Sequence, residues 1–402
     1  MPHNDRYQYR DSFSNSIDTT KPHRRSVILF CASTFFFWAA LYLYVPTLPV
    51  YAQSLGASLS MVGIIVASYG LPQLLFRIPI GIWFDALNKR KPLVAGGIIL
   101  AIVGALGLGL APTPWFLTIA RFVTGMGAAT WVTFAVYFTA FYPKDNTSRT
   151  IGIINFVHGS ALVVATSCGG LMAEVWSTGH TFFGAVALGI IGLLALLFSR
   201  EPVTHQVKSY SWQGFTEVAT NPLLLMASGI GILILFANFA AIHGFTPLYA
   251  TSIGATKTDL GIITMLVMAS SAVVSLAVAP LAERLGNRLT IILGAIMMGI
   301  PLLATPSIAS ITVLMAVQVA NGMGRGILGV ITMALSIKAV PSHQRATAMG
   351  VYQALYSIGM MLGPLYSGFL AESQGLAAVF YLSAFMCLLI IGVAFIPILR
   401  RY

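Results

Sequence analysis

Carboxylates are what this 402-residue sequence has least of. It holds eleven Asp and Glu against 22 Lys and Arg, and charged residues of both signs make up only 8%. A soluble domain carries roughly 25%. This chain therefore has too little charge to solvate a folded exterior in water. Cysteine is nearly absent too. Cys31, Cys168 and Cys387 each fall inside an apolar stretch, which excludes a disulfide framework and reads as small packing residues. No zinc spacing, Gly-Lys-Ser/Thr phosphate loop or nucleophile elbow is present. No segment is left for an ATP-hydrolysing domain, so an ATP-driven pump is excluded, and neither an enzyme nor a cofactor or metal is expected.

What is there is apolar: 57% of residues, with a mean hydropathy of +0.86. Stretches long enough to cross a bilayer recur at 27–52, 60–84, 92–111, 115–140, 149–173, 179–198, 223–250, 260–281, 289–308, 311–338, 346–371 and 377–399. The expected fold class is an all-α membrane protein with twelve transmembrane helices in two pseudo-symmetric six-helix bundles. Its expected parts are a polar tail at 1–26, bundles at 27–198 and 223–399, a linker at 199–222 and a short tail at 400–402. The first apolar run reads as a retained helix rather than a signal peptide. Of the Lys and Arg, Arg77, Arg121 and Arg325 lie inside spans and Lys257 on one face; the rest gather on the other face. The positive-inside rule makes that basic face, with both termini, cytoplasmic, which suits a bacterial inner membrane. The net charge of +11 follows from this arrangement and calls for no nucleic acid.

The two halves repeat each other. PVYAQSLGAS at Pro49–Ser58 returns as PLYATSIGAT at Pro247–Thr256, 198 residues on. Without a gap, Gly63 falls on Gly261 and Asp85 on Glu283. Gly125-Met126-Gly127 meets Gly322-Met323-Gly324 at an offset of 197. Membrane-embedded halves so related imply a pseudo-two-fold axis along the membrane normal and a site between them, as in a carrier.

The segment Gly81-Ile-Trp-Phe-Asp85-Ala-Leu-Asn-Lys89-Arg90-Lys91 resembles the signature loop of the major facilitator superfamily, G-x-x-x-D-[RK]-x-G-[RK]-[RK]. Ala86 and Asn88 depart from it. Glu283-Arg284-Leu-Gly286-Asn-Arg288 is its degenerate copy. The resemblance covers nearly the whole chain and extends to the twelve-helix drug/proton antiporter-type members. It implies that Gly81, Asp85, Lys89, Arg90, Glu283, Arg284 and Arg288 serve as a conformational gate, with Gly81 allowing close helix contact; the plainer reading of Asp85 is a topology anchor. Arg121-x-x-x-Gly125-x-Gly127-Ala-Ala resembles a pattern associated with proton-coupled members. Gly359-x-x-x-Gly363-Pro364 resembles the family's antiporter motif, displaced from the fifth span to the eleventh.

An arginine deep in a span costs several kcal/mol unless it meets water or a partner, so Arg121 and Arg325 are candidate substrate ligands; the alternative is a helix-packing role. Arg77 reads as a structural charge. Candidate cavity residues beside them are Trp38, Tyr42, Trp131, Asn155, Asn238, Asn321, Gln353 and Tyr356. No acid sits mid-helix unless Glu174 or Glu372 turns inward. His158 and His243 are therefore the candidate proton sites, or hydrogen-bonded packing residues. Arginines without a compensating acid attract an anion or zwitterion. The expectation is a proton-coupled efflux carrier of small amphipathic organic molecules, functional as a monomer in the bilayer. An anion uniporter or exchanger and a lipid flippase are the alternatives.

Overall fold

The computed structural model describes residues 24–86, 90–142, 147–201, 212–338, 340–341 and 344–397. Twelve helical spans long and apolar enough to cross a membrane occur among them. In order, spans 1 to 6 are Arg24–Tyr42, Leu59–Gly81, Lys91–Gly109, Pro114–Thr139, Thr150–Val175 and Thr178–Phe198. Spans 7 to 12 are Pro222–Ser252, Lys257–Ser275, Val278–Ser307, Ile311–Lys338, Thr347–Gln374 and Leu376–Val393. Large apolar side chains such as Trp115, Leu197, Phe369 and Leu388 stand exposed on the outside, as a lipid-facing surface requires and a water-facing one would not tolerate.

The repeat is reproduced contact by contact. The short helix Leu48–Ser54 follows span 1 and its counterpart Thr246–Ser252 ends span 7, each carrying its proline in the first turn. Gly56 and Gly254 then take positive φ, 86° and 94°, a conformation that glycine adopts without a Cβ penalty. Ser58 and Thr256 cap the helices of spans 2 and 8 with their hydroxyls. The Gly-Met-Gly steps do the same work in each half. A Cβ on Gly127 would lie 2.8 Å from the Gly97 carbonyl oxygen; one on Gly324 would lie 2.6 Å from that of Gly294. Spans 4 and 10 therefore pack backbone to backbone on spans 3 and 9.

Four expectations need correction. Arg24 is already helical, ahead of the expected start at 27. The linker contains a helix, Trp212–Ala219, because Val218 finds an apolar site against Leu224, Val340 and Tyr352. Span 9 belongs to a longer helical run, Val278–Ala304, broken at Gly286 with φ 79°; the copy of the signature loop keeps its turn through that glycine. Cys168 is exposed on the outside of span 5 rather than packed, whereas Cys387 is buried.

The halves meet along two seams. Span 2 lies on span 11 and span 5 on span 8. At the first, Gly63 approaches Gly368, and a Cβ on either would lie within 3.0 Å of the other's Cα. At the second, the repeat mates Gly261 and Gly170 make the same contact, with the corresponding distances 2.8 and 2.7 Å. Both glycine pairs lie toward the face that carries the Gly56 and Gly254 turns, opposite the basic loops.

Candidate functional site

The expected cavity residues of spans 1, 4 and 5 come together. Trp38 and Trp131 meet edge-on at 5.3 Å, and the His158 ring lies 4.2 Å from the first and 4.9 Å from the second. Trp38 also touches Tyr42 at 6.0 Å. Tyr42 in turn meets His243 of the other half edge-on at 6.0 Å, and His243 rests on Phe239 at 4.8 Å. His243 sits in an eight-residue π-helical segment, Asn238–Phe245, inside span 7; such departures from the α-helix recur at functional sites. Trp38 Nε1, His243 Nδ1 and both amide atoms of Asn238 are buried without a hydrogen-bond partner.

Arg325 stands on span 10. It is half-buried and donates to Ser271 Oγ at 3.2 Å. Its charge acts on Tyr42, Tyr356, His158 and His243. No described carboxylate lies among these partners. Arg121, on span 4, is enclosed instead. It is 3% exposed, stacks on the Tyr69 ring at 4.1 Å and donates to Tyr44 Oη at 3.1 Å. Its field still reaches Tyr42 and His243, so a cation of each half acts on the same two rings. The repeat mate of Arg121 is Gln318, buried and bonded to Asn321 Nδ2 at 3.0 Å. Asn321 is thus held within span 10. Asn155 is exposed on span 5, three residues before His158.

Arg77 joins the halves. It is buried and donates to the Gln353 carbonyl at 3.1 Å, to Tyr356 Oη at 2.9 Å and to Gln73 Oε1. One fork thus ties span 2 to span 11. Arg77→Ala would leave the buried Gln73 Oε1 without its donor and take the partner from Tyr356 Oη, at a cost of roughly 1–3 kcal/mol. The expected result is a lower thermal midpoint of the detergent-solubilised protein. Arg77→Lys should recover only part of it, because an ammonium cannot reproduce the fork.

The gate residues are dispersed in this conformation. Lys89 lies outside the described residues, as does the side chain of Asp85. A Cβ on Gly81 would meet nothing within 4 Å, so among the described residues the close helix contact expected there is not made; it is made at Gly63 and Gly70, nearer the start of the same span. Arg90 is buried, and its backbone N–H, like that of Lys91, is capped by Glu201. Glu283 and Arg284 are exposed, and Arg288 stacks on Phe395 at 4.1 Å. Glu174 and Glu372 remain exposed at their span ends and do not turn into the bundle. Sequence reasoning missed Tyr44, Tyr69 and Ser271, the partners of the two arginines; nothing in the spacing marks a lone tyrosine or serine as facing another span.

The Major Facilitator Superfamily model matches residues 30–251 and 229–402. An uncharacterised MFS-type transporter of Methanocaldococcus jannaschii is 26% identical over 385 residues, covering 94% of this chain and 99% of that protein. A multi-drug resistance efflux pump homologue of Lactococcus lactis is 23% identical over 360 residues, covering 87% and 88%. Among solved structures, a bacterial homologue of the human lysosomal transporter Spinster, in an inward-facing conformation, superposes with a TM-score of 0.79 at 17% identity, covering 94% of this chain and 98% of that one. At that identity the likeness speaks for the fold.

Proposed function

Because this chain belongs to the Major Facilitator Superfamily, we propose that it is a secondary active transporter that exports a small amphipathic organic anion or zwitterion by alternating access, in exchange for protons. The observation that carries the substrate class is Arg325. It is a half-buried cation at mid-span whose charge acts on Tyr42 and His158 of the first half and on His243 of the second, with no described carboxylate among its partners. A permanent charge so placed is stabilised by an anionic ligand, and the surrounding rings suit an apolar or aromatic body. His158 and His243 are the protonatable groups within reach of that ligand, and a cation whose charge acts on them couples their protonation to its occupancy. Efflux is supported by the drug-pump relative. The basic face is taken as cytoplasmic and the membrane as the inner one, from the distribution of Lys and Arg.

The test is thermal stability of the purified protein against organic anions, zwitterions and lipophilic cations, at mildly acidic and mildly basic pH. A ligand of the folded state raises the midpoint by mass action. Stabilisation by anions or zwitterions is expected, with a pH-dependent magnitude. Stabilisation by lipophilic cations alone would overturn the substrate class and make the arginines structural.

One observation favours a second reading. An apolar crevice of about 350 Å³ opens sideways between spans 2, 4 and 11, lined by Ile64, Leu71, Phe122, Met361 and Leu365. A lipid flippase would use such a lateral entry; phospholipid translocation in proteoliposomes would decide for it.

A further inference from the structure

Glu174 and Glu372 are repeat mates, 198 residues apart. Each stands in the last turn of its span, and each accepts a backbone N–H from the first turn of a span in the other half. Lys257 N donates to Glu174 Oε2 at 2.8 Å, and Ser60 N donates to Glu372 Oε2 at 3.0 Å. The register differs by one residue, since Lys257 corresponds to Leu59; otherwise the two contacts are copies. First-turn N–H groups lack an intrahelical partner and form the positive end of the helix dipole. Each carboxylate therefore supplies to the opposite half what a capping residue supplies to its own helix.

One turn below each carboxylate lies a seam glycine, Gly170 below Glu174 and Gly368 below Glu372. Their approach to Gly261 and Gly63 is at backbone contact. The caps reach across only while those glycines touch. An ordinary cap behaves differently. Asp259 caps its own helix through Thr256 and travels with that helix wherever the half goes. Removing Asp259 therefore weakens every conformation alike, whereas removing Glu174 or Glu372 weakens only the one in which this face is shut. The neighbouring charges are otherwise engaged: the Lys257 ammonium donates to the Ala173 carbonyl at 3.3 Å, and His180 pairs with Ser177.

We propose that Glu174 and Glu372 are a paired latch that holds the face opposite the basic loops closed, acting as positioning residues for the transport cycle through the two glycine seams rather than through the substrate. This rests on the alternating-access reading above. Carboxylates at exposed helix N-termini contribute about two- to fivefold each to an equilibrium. Loss of both should then favour opening of that face by about tenfold.

The experiment uses the full-length protein in lipid nanodiscs, with the native cysteines replaced by serine and spin labels on Ser54→Cys and Ser252→Cys. These repeat mates are exposed on the two short helices of the latched face. In E174A/E372A the long-distance component should grow about tenfold over the parent, and in each single variant by a smaller factor; Asp259→Asn should leave it unchanged. Distance distributions that match the parent in the double variant, or equal opening by Asp259→Asn, overturn the latch. A second label pair, Phe156→Cys and Leu276→Cys, reports the other face, where both residues are strongly exposed. It should shorten as the first pair lengthens. Lengthening of the first pair without that shortening supports the latch and overturns alternation between the faces.

Discussion

Arg325→Ala is expected to abolish binding of organic anions while leaving the protein folded. The side chain is half-buried, its hydrogen bond to Ser271 is to a neutral hydroxyl, and no described carboxylate is among its partners. Nothing charged is orphaned in the fold when it goes. A bound carboxylate, by contrast, would lose its counter-ion in a low-dielectric site, which costs about 30-fold or more in affinity. Titration calorimetry with the best anion from the stability panel reads this directly, and an unchanged Kd would refute an anion site at Arg325. Arg121→Ala should behave differently. Its guanidinium fills a cage made by Tyr44, Tyr69 and Thr124, and emptying it leaves a cavity and an unpaired buried hydroxyl. A fall in thermal midpoint of several degrees is expected first, with any change in affinity following from it. Equal stability of the two alanine variants would contradict the distinction between a ligand-facing and a caged arginine.

Gly63→Ala, or Gly261→Ala at the repeat-related position, is expected to cut transport at least tenfold. At Gly261 the new methyl would lie 2.7 Å from the Thr166 carbonyl oxygen and 2.8 Å from the Gly170 Cα. Both are backbone atoms of a facing span and cannot swing aside as a side-chain tip does. At Gly63 the opposing atoms are the equivalent ones, the Pro364 carbonyl and the Gly368 Cα. The seam would be held apart by about half an ångström or more, breaking the cap above it as well. Gly229→Ala is the control, since a Cβ there meets nothing within 4 Å. Transport in proteoliposomes, compared at matched protein orientation, provides the measurement. Wild-type rates in both seam variants would show that the contact is not required for turnover.

Both predictions depend on pairs of residues that the sequence sets far apart, yet one of the two was close to legible. The offset of 198 links Gly63 to Gly261 and Gly170 to Gly368, so once one cross-half contact is known, symmetry supplies its twin. What symmetry does not supply is which spans face each other across the axis. The signature loop shows the reverse limit. Gly81 matches the family pattern, but the halves touch nearer the start of span 2, so the residue marked for close contact makes none among the described residues. The acids show a third. Their scarcity and their placement at span ends are legible, but the sequence marks Glu174 and Glu372 only as end-of-span acids that could turn inward. Instead they reach across to backbone N–H groups, which carry no mark in a sequence at all.

The sequence by itself determined the solvent, the spans and the repeat. Each of these is a property of runs and offsets along the chain: apolar length against bilayer thickness, Lys and Arg counted per loop, and identity at a fixed spacing. Only the tertiary structure decided that Arg121 is caged by Tyr44 and Tyr69 while Arg325 stays partly exposed and donates to the Ser271 hydroxyl. Both are arginines in the middle of spans, followed or preceded by the same Gly-Met-Gly step. Their difference lies in what the neighbouring helices present. In the first half a tyrosine stands on span 1 and another on span 2; at the repeat-related positions stand Ile242 and Val267. Helix faces are set by packing between spans, and the chain encodes that only through all twelve together.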